Sequence, residues 1–225
     1  MSPQINVAIL DDHQSIIDGY TYRLSMNPQI NLVGTAVYGK DLDSLLTSHE
    51  VDVLILDVSV PWSLQDQNPF PILHVIPSLL NRYPTLNILI ISMFTQHSLV
   101  EALANIGISG YIFKDDQSSI QQLAKIVETV TNGGIFFSQG AYRNSPAAPT
   151  EPVLTPRQLE AISLCVAHPD AGTTVLANKL GISGSTLRNL LSGAYLRLGV
   201  RTRAAAIAKA HQLEIIPDSP ETRVE

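Results

Sequence analysis

In the first half of this sequence, short apolar runs end in groups able to do chemistry. Asp11 and Asp12 follow Ile5-Asn6-Val7-Ala8-Ile9-Leu10, and Asp57 follows Val51-Asp52-Val53-Leu54-Ile55-Leu56. Ser92 follows Asn87-Ile88-Leu89-Ile90-Ile91, and Lys114 follows Ser109-Gly110-Tyr111-Ile112-Phe113. Runs this short and rich in Val, Ile and Leu read as parallel strands buried on both faces. Their polar ends would then meet at the carboxyl side of one sheet, where open α/β folds place ligands. Three carboxylates close together repel, and a cation lets them ionise jointly. An all-oxygen set with few protein ligands suits Mg²⁺, which keeps several waters and partners phosphate oxygens. A carboxylate can also be a nucleophile and form an acyl phosphate. In that chemistry Lys114 supplies a point charge and Ser92 a hydrogen bond. Any one of these residues alone would be an ordinary strand end; their shared position points to one site centred on Asp57.

The elements that must position them alternate. Ile16, Ile17, Tyr20 and Leu24 lie at helical spacing after the first strand, and Asn31 to Ala36 is a second strand. Leu42, Leu45 and Leu46 mark a second helix, and residues 98–105 a later one closing at Gly107. Residues 118–130 read as the last helix of this half, closed by Asn132-Gly133-Gly134. Parallel neighbours need crossover helices, so the alternation predicts a doubly wound, flavodoxin-like α/β sheet of order 2-1-3-4-5. No G-x-G-x-x-G follows the first strand, which argues against a dinucleotide enzyme.

The chain has 225 residues, 45% hydrophobic and 15% charged, enough for two packed domains. Residues 1–149 carry six Lys/Arg against thirteen Asp/Glu, a balance of −7. Residues 152–212 carry seven Lys/Arg against Glu160 and Asp170, a balance of +5. The basic part is a candidate for binding a polyanion. A lone cysteine, Cys165, excludes an internal disulfide and reads as a core thiol. No apolar run reaches membrane-spanning length and no signal peptide is evident, so a cytoplasmic protein with no membrane partner is expected. Residues 139–152 lack apolar periodicity and contain Pro146, Pro149 and Pro152. The expected division is 4–135, a linker at 136–152, an all-α region at 153–216 opened by a Thr155-Pro156 cap, and a frayed tail at 217–225.

Asp11-Asp12-His13, Asp57 with Pro61 after it, Ser92, and Gly110-Tyr111-Ile112-Phe113-Lys114-Asp115 together resemble a response-regulator receiver domain over residues 4–135. The resemblance implies that Asp57 is the phosphoacceptor, fed by a sensor histidine kinase. It implies that Asp11, Asp12 and Asp57 hold Mg²⁺, and that Ser92 and Tyr111 form the switch beside Lys114. Two departures stand out. The segment from Trp62 to Pro71 is longer than the family's turn and lacks its glycine. Met93, followed by Phe94, replaces a small residue. Bulk there would crowd phosphodonor and hydrolytic water, which predicts a slow phosphorylation–dephosphorylation cycle or a site that is rarely phosphorylated.

In the basic part, Leu176, Ala177 and Leu180 form a helical stripe ending at Gly181, and Ile182-Ser183 opens the next helix. Two helices joined by a tight glycine turn make a helix-turn-helix pattern. The second helix would present Ser185, Arg188, Asn189 and Ser192 on its polar face. Arg suits guanine and Asn adenine in the major groove. Arg197, Arg201 and Arg203 are placed for phosphates. A small bundle with a solvated basic face is the alternative on pattern alone. Leu154-Thr155-Pro156-Arg157-Gln158, the 180–186 turn and the stretch from Leu198 to Ala206 resemble the LuxR-type DNA-binding domain. The whole chain is thus similar to a NarL/FixJ-family transcription regulator. That implies double-stranded promoter DNA as partner, a homodimer contact through the last helix from Thr202 to Gln212, and no turnover enzyme. Here too there are departures: Gln158 where Glu is common, Leu190 where a polar residue is common, and Gly193 where the family has a larger side chain. A mid-helix glycine costs about 1 kcal/mol relative to alanine, and Gly193 suggests a close backbone approach, to DNA or to a partner. A second reading keeps the DNA-binding half but makes the receiver a phosphorylation-independent dimer or ligand platform. A hydrolase is disfavoured because no further acid or base is evident.

Overall fold

The computed structural model describes residues 4–139 and 154–216. The expected linker from residue 140 onward and the tail at 217–225 lie outside the described residues. The first half runs β1 (Ile5–Leu10), α1 (Gln14–Ser25), β2 (Ile30–Ala36), α2 (Leu42–Ser48), β3 (Val53–Leu56), α3 (Ile72–Arg82), β4 (Asn87–Ser92), α4 (His97–Ile106) and β5 (Gly110–Phe113). The helices α5 (Gln117–Gln121) and α6 (Leu123–Thr131) and the short β6 (Phe136–Phe137) follow. The sheet has order β2-β1-β3-β4-β5-β6 and every pairing is parallel.

Alternation along the strands builds two cores. Val7, Ile9, Val53, Ile55, Leu89 and Ile91 face α1 and α6. Ala8, Leu10, Leu54, Leu56, Ile88 and Ile90 face α2, α3 and α4. With both faces covered, the buried stretches 7–10, 53–56 and 88–91 are wholly apolar up to the carboxyl ends. The doubly wound order of the first five strands is as predicted.

Three local differences have physical causes. The expected helix over 118–130 is interrupted at Gln122, whose φ of −96° and ψ of 14° leave the helical region. Phe136 and Phe137, expected to begin the linker, instead pair with Gly110 and Tyr111. Gly110 permits this, because a Cβ there would meet the Phe136 carbonyl at 2.7 Å. The long segment after Asp57 folds on itself. Pro61 bridges Pro69, the Trp62 N–H donates to the Asn68 carbonyl at 2.9 Å, and the Phe70 N–H donates to the Val60 carbonyl at 2.8 Å. The Phe70 ring occupies the space a Cβ on Gly39 would need.

The second half is helical: α7 (Pro156–Ala167), α8 (Thr173–Lys179), α9 (Gly184–Leu198) and α10 (Arg203–Gln212). The Thr155-Pro156 start is a full capping box, with Gln158 answering Thr155. The tight turn between α8 and α9 places Gly181 at φ +64°, a left-handed conformation glycine adopts at no steric cost. Every residue from Leu159 to Ala167 is buried, Glu160 and Ser163 included. One side of α7 packs on α9 and α10; another lies on α3 of the sheet domain.

Candidate functional site

The ends of β1, β3 and β5 converge as the sheet order requires. Asp11 and Asp57 are buried, at 1% and 2% exposure. Lys114 reaches both: its Nζ lies 2.8 Å from Asp11 Oδ2 and 2.8 Å from Asp57 Oδ2. Burial works against the ammonium, but the Asp57 and Asp11 charges outweigh it and hold the amine above its ordinary range. Backbone groups fix the other carboxylate oxygens. The His13 N–H donates to Asp11 Oδ1 at 3.0 Å and the Ser59 N–H to Asp57 Oδ1 at 3.3 Å. His13 and Ser59 are site residues that pattern reasoning did not assign, because their contribution is a main-chain donor.

Asp12 stands at the more open side, and the His13 imidazole Nδ1 lies 2.8 Å from its Oδ1. Ligand atoms of Asp11, Asp12 and His13 all lie within 4.8 Å of one another. The Asp11 and Asp12 carboxylates of this cluster are consistent with a Mg²⁺ site, which takes oxygen donors, and Lys114 now shares the charge that a divalent ion would neutralise.

Ser92 ends β4 fully buried, and its Oγ accepts from the Phe94 N–H at 3.2 Å. Tyr111, also fully buried, donates its hydroxyl to the Phe94 carbonyl at 2.5 Å. The hydroxyl and the phenol thus meet on one residue beyond β4, Phe94. Burial, aided by the Asp57 charge and opposed by Ser92, keeps the phenol protonated far above its ordinary range. Met93 lies between them in sequence and is 47% exposed.

In the second half, Ser185, Arg188, Asn189 and Ser192 lie on α9 and are exposed, as are Arg197 and Arg201. Arg203 is different, and its expected role as a phosphate contact is corrected. Its guanidinium turns inward and donates to the carbonyls of Ala171 at 2.6 Å, His168 at 2.7 Å and Cys165 at 3.3 Å. It closes the end of α7 and the turn after it, where helix carbonyls lack partners.

Gly193 also finds a different explanation. A Cβ there would lie 2.7 Å from Gln158 Nε2, and the Gln158 Oε1 is tied to the Thr155 N–H at 3.0 Å. Two departures from the family pattern are therefore one contact. Gly193→Ala is expected to leave stability nearly unchanged, since about 1 kcal/mol of helix propensity is offset by about 1 kcal/mol of disturbed cap. In a Gln158→Ala background the same change should stabilise by about 1 kcal/mol. Thermal melts of the four chains check this. Equal effects in both backgrounds would mean the two residues do not interact.

Comparison with known proteins covers both halves. The family model described as "Response regulator receiver domain" matches residues 7–128. The transcriptional regulatory protein MctR of Rhizobium johnstonii is 26% identical over 213 residues, 92% of this chain and 94% of MctR. The probable transcriptional regulatory protein NarL of Mycobacterium tuberculosis is 26% identical over 220 residues, 95% of this chain and 96% of that one. A solved structure of the Salmonella typhimurium RcsB response regulator superposes with a TM-score of 0.64 at 22% identity, covering 94% of this chain and 98% of RcsB. That likeness speaks for the fold. With the family model spanning more than half the sequence, and the paired carboxylates and lysine at the strand ends it covers, this chain belongs to the response regulator receiver family.

Proposed function

We propose that this chain is a DNA-binding two-component response regulator whose phosphoacceptor is Asp57. The observation that carries the reading is Lys114 bonded at once to Asp11 and Asp57, both buried at strand ends. The Asp57 carboxylate attacks the phosphorus of a phosphohistidine on a sensor kinase. The P–N bond breaks, a P–O bond forms, and the imidazole leaves. Lys114 then turns from Asp57 Oδ2 to the phosphoryl oxygens. Ser92 gives up the Phe94 N–H to hydrogen-bond the phosphoryl group, and Tyr111 follows. Asp11, Asp12 and Asp57 would hold Mg²⁺, which when bound neutralises phosphoryl charge. Met93 slows both entry of the donor and hydrolysis.

The output belongs to residues 153–216, which follow a receiver whose sheet runs on to β6 and Ser138. Ser185, Arg188, Asn189 and Ser192 read bases; Arg197 and Arg201 meet phosphates. Relatives named as transcriptional regulatory proteins along nearly their whole length support this. The active form is a homodimer paired through α10 on promoter DNA. No helix among the described residues is long and apolar enough to cross a membrane, which fits a cytoplasmic location.

Radiolabelled acetyl phosphate with Mg²⁺ should label the full chain, and Asp57→Ala should remove the label. Met93→Ala should shorten the acyl-phosphate half-life, and phosphodonor should tighten a gel shift on promoter fragments. An unlabelled wild-type chain that shifts DNA regardless of donor would support the phosphorylation-independent platform instead.

A further inference from the structure

The long segment between Asp57 and α3 has an occupant on its outer side, the helix α7. Trp62 stacks obliquely on Phe70, with ring centroids 5.6 Å apart, and meets His168 edge-on at 6.4 Å. His168 caps the end of α7. Burial, with the charge of Lys179 adding, holds this imidazole below its ordinary range, so it meets the indole uncharged. At the other end of the contact, His74 of α3 lies 3.1 Å from Glu160 of α7, and Arg157 closes on the same carboxylate at 2.8 Å. Between them, Ser163 lines a small apolar gap with Val58, Phe70, Leu73, Leu99 and Leu103. Gln96 at the start of α4 donates to Glu214 beyond α10.

The root of this contact is the acceptor site itself. Val58, the residue after Asp57, lines the gap beneath Ser163. Ser59 donates to the Asp57 carboxylate, and Val60 anchors Phe70. Only one to three residues therefore separate the Asp57 carboxylate from the surface that seats α7. Meanwhile Ser185, Arg188, Asn189 and Ser192 remain exposed with α7 seated. The contact orients the helix-turn-helix without covering its reading face.

We propose that the segment from Trp62 to Phe70 is a latch that couples occupancy of Asp57 to the seating of α7, setting the orientation of the DNA-reading helices rather than masking them. The proposal rests on Asp57 being the phosphoacceptor. If occupied Asp57 disfavours the seated state, linkage requires that unseating α7 strengthen binding at Asp57 by the same factor.

Trp62 is the chain's single tryptophan, so its fluorescence reports the latch directly. The full chain is titrated with beryllofluoride and Mg²⁺, a phosphoryl mimic followed by fluorine NMR, while acrylamide quenching of Trp62 is recorded. Quenching should rise as the site fills. His168→Ala, which removes the far side of the contact, should start with high quenching and bind beryllofluoride tighter, on the order of fivefold. Trp62→Phe, read by fluorine NMR alone, should shift affinity in the same direction. Bound beryllofluoride with unchanged quenching, and equal affinity in His168→Ala, overturns the latch while leaving the phosphoacceptor reading intact. Absence of any bound signal in the wild type overturns the phosphoacceptor reading, and the latch with it.

Discussion

Lys114→Met is expected to destabilise the receiver by about 3 kcal/mol, the cost of breaking a buried ion pair from one side. The Lys114 side chain is only 11% exposed and the carboxylates of Asp11 and Asp57 only 2%. Methionine keeps most of the volume and removes the ammonium, so two buried carboxylates face one another without their shared donor. For a domain of this size the loss corresponds to a fall in melting temperature on the order of 10 °C. Added Mg²⁺ should return part of it, because an ion that binds only the folded state stabilises by mass action. Calorimetry of both chains, in chelator and in Mg²⁺, is the measurement. A melting point within about 2 °C of wild type in chelator would show that the lysine is not what lets the two acids coexist.

The second large effect separates two arginines that look alike in sequence. Arg203→Ala should cost about 3 kcal/mol in the helical half, since the carbonyls of Cys165, His168 and Ala171 lose a charged donor together. DNA binding should then fall on all sequences alike and in step with unfolding. Arg188→Ala should leave the melt unchanged and weaken specific binding by about 1–3 kcal/mol, relaxing base preference. Melts paired with gel shifts on matched and scrambled sites decide it. An intact melt with uniformly weaker binding in Arg203→Ala would return that residue to the phosphates.

What was legible in the sequence follows the range of the forces involved. The strand ends were readable because burial on both faces forces polar residues out to the same side. Asp11, Asp57 and Lys114 could thus be grouped before any distance was known. Arg203 was misplaced because its direction depends on how α10 crosses α7, which no local period encodes. Gly193 and Gln158 looked like separate departures, being 35 positions apart on different helices that pack together. The Trp62 segment stands out in sequence by its length and its missing glycine; its partner, His168, lies in the other half of the chain. Two residues of β6 are too few to show alternation, so nothing in the sequence sets them apart from the linker.

That short sixth strand changes where the receiver ends as a folding unit. Ser138 donates its N–H to the Tyr111 carbonyl at 2.9 Å, and its hydroxyl accepts the Phe113 N–H at 3.0 Å. Without Phe136 to Ser138, β5 would be an outermost strand with main-chain donors and acceptors open. Such a strand is a template on which a second chain can add. A receiver cut at residue 135 carries that self-association hazard on the strand that holds Tyr111; one cut after Gln139 does not.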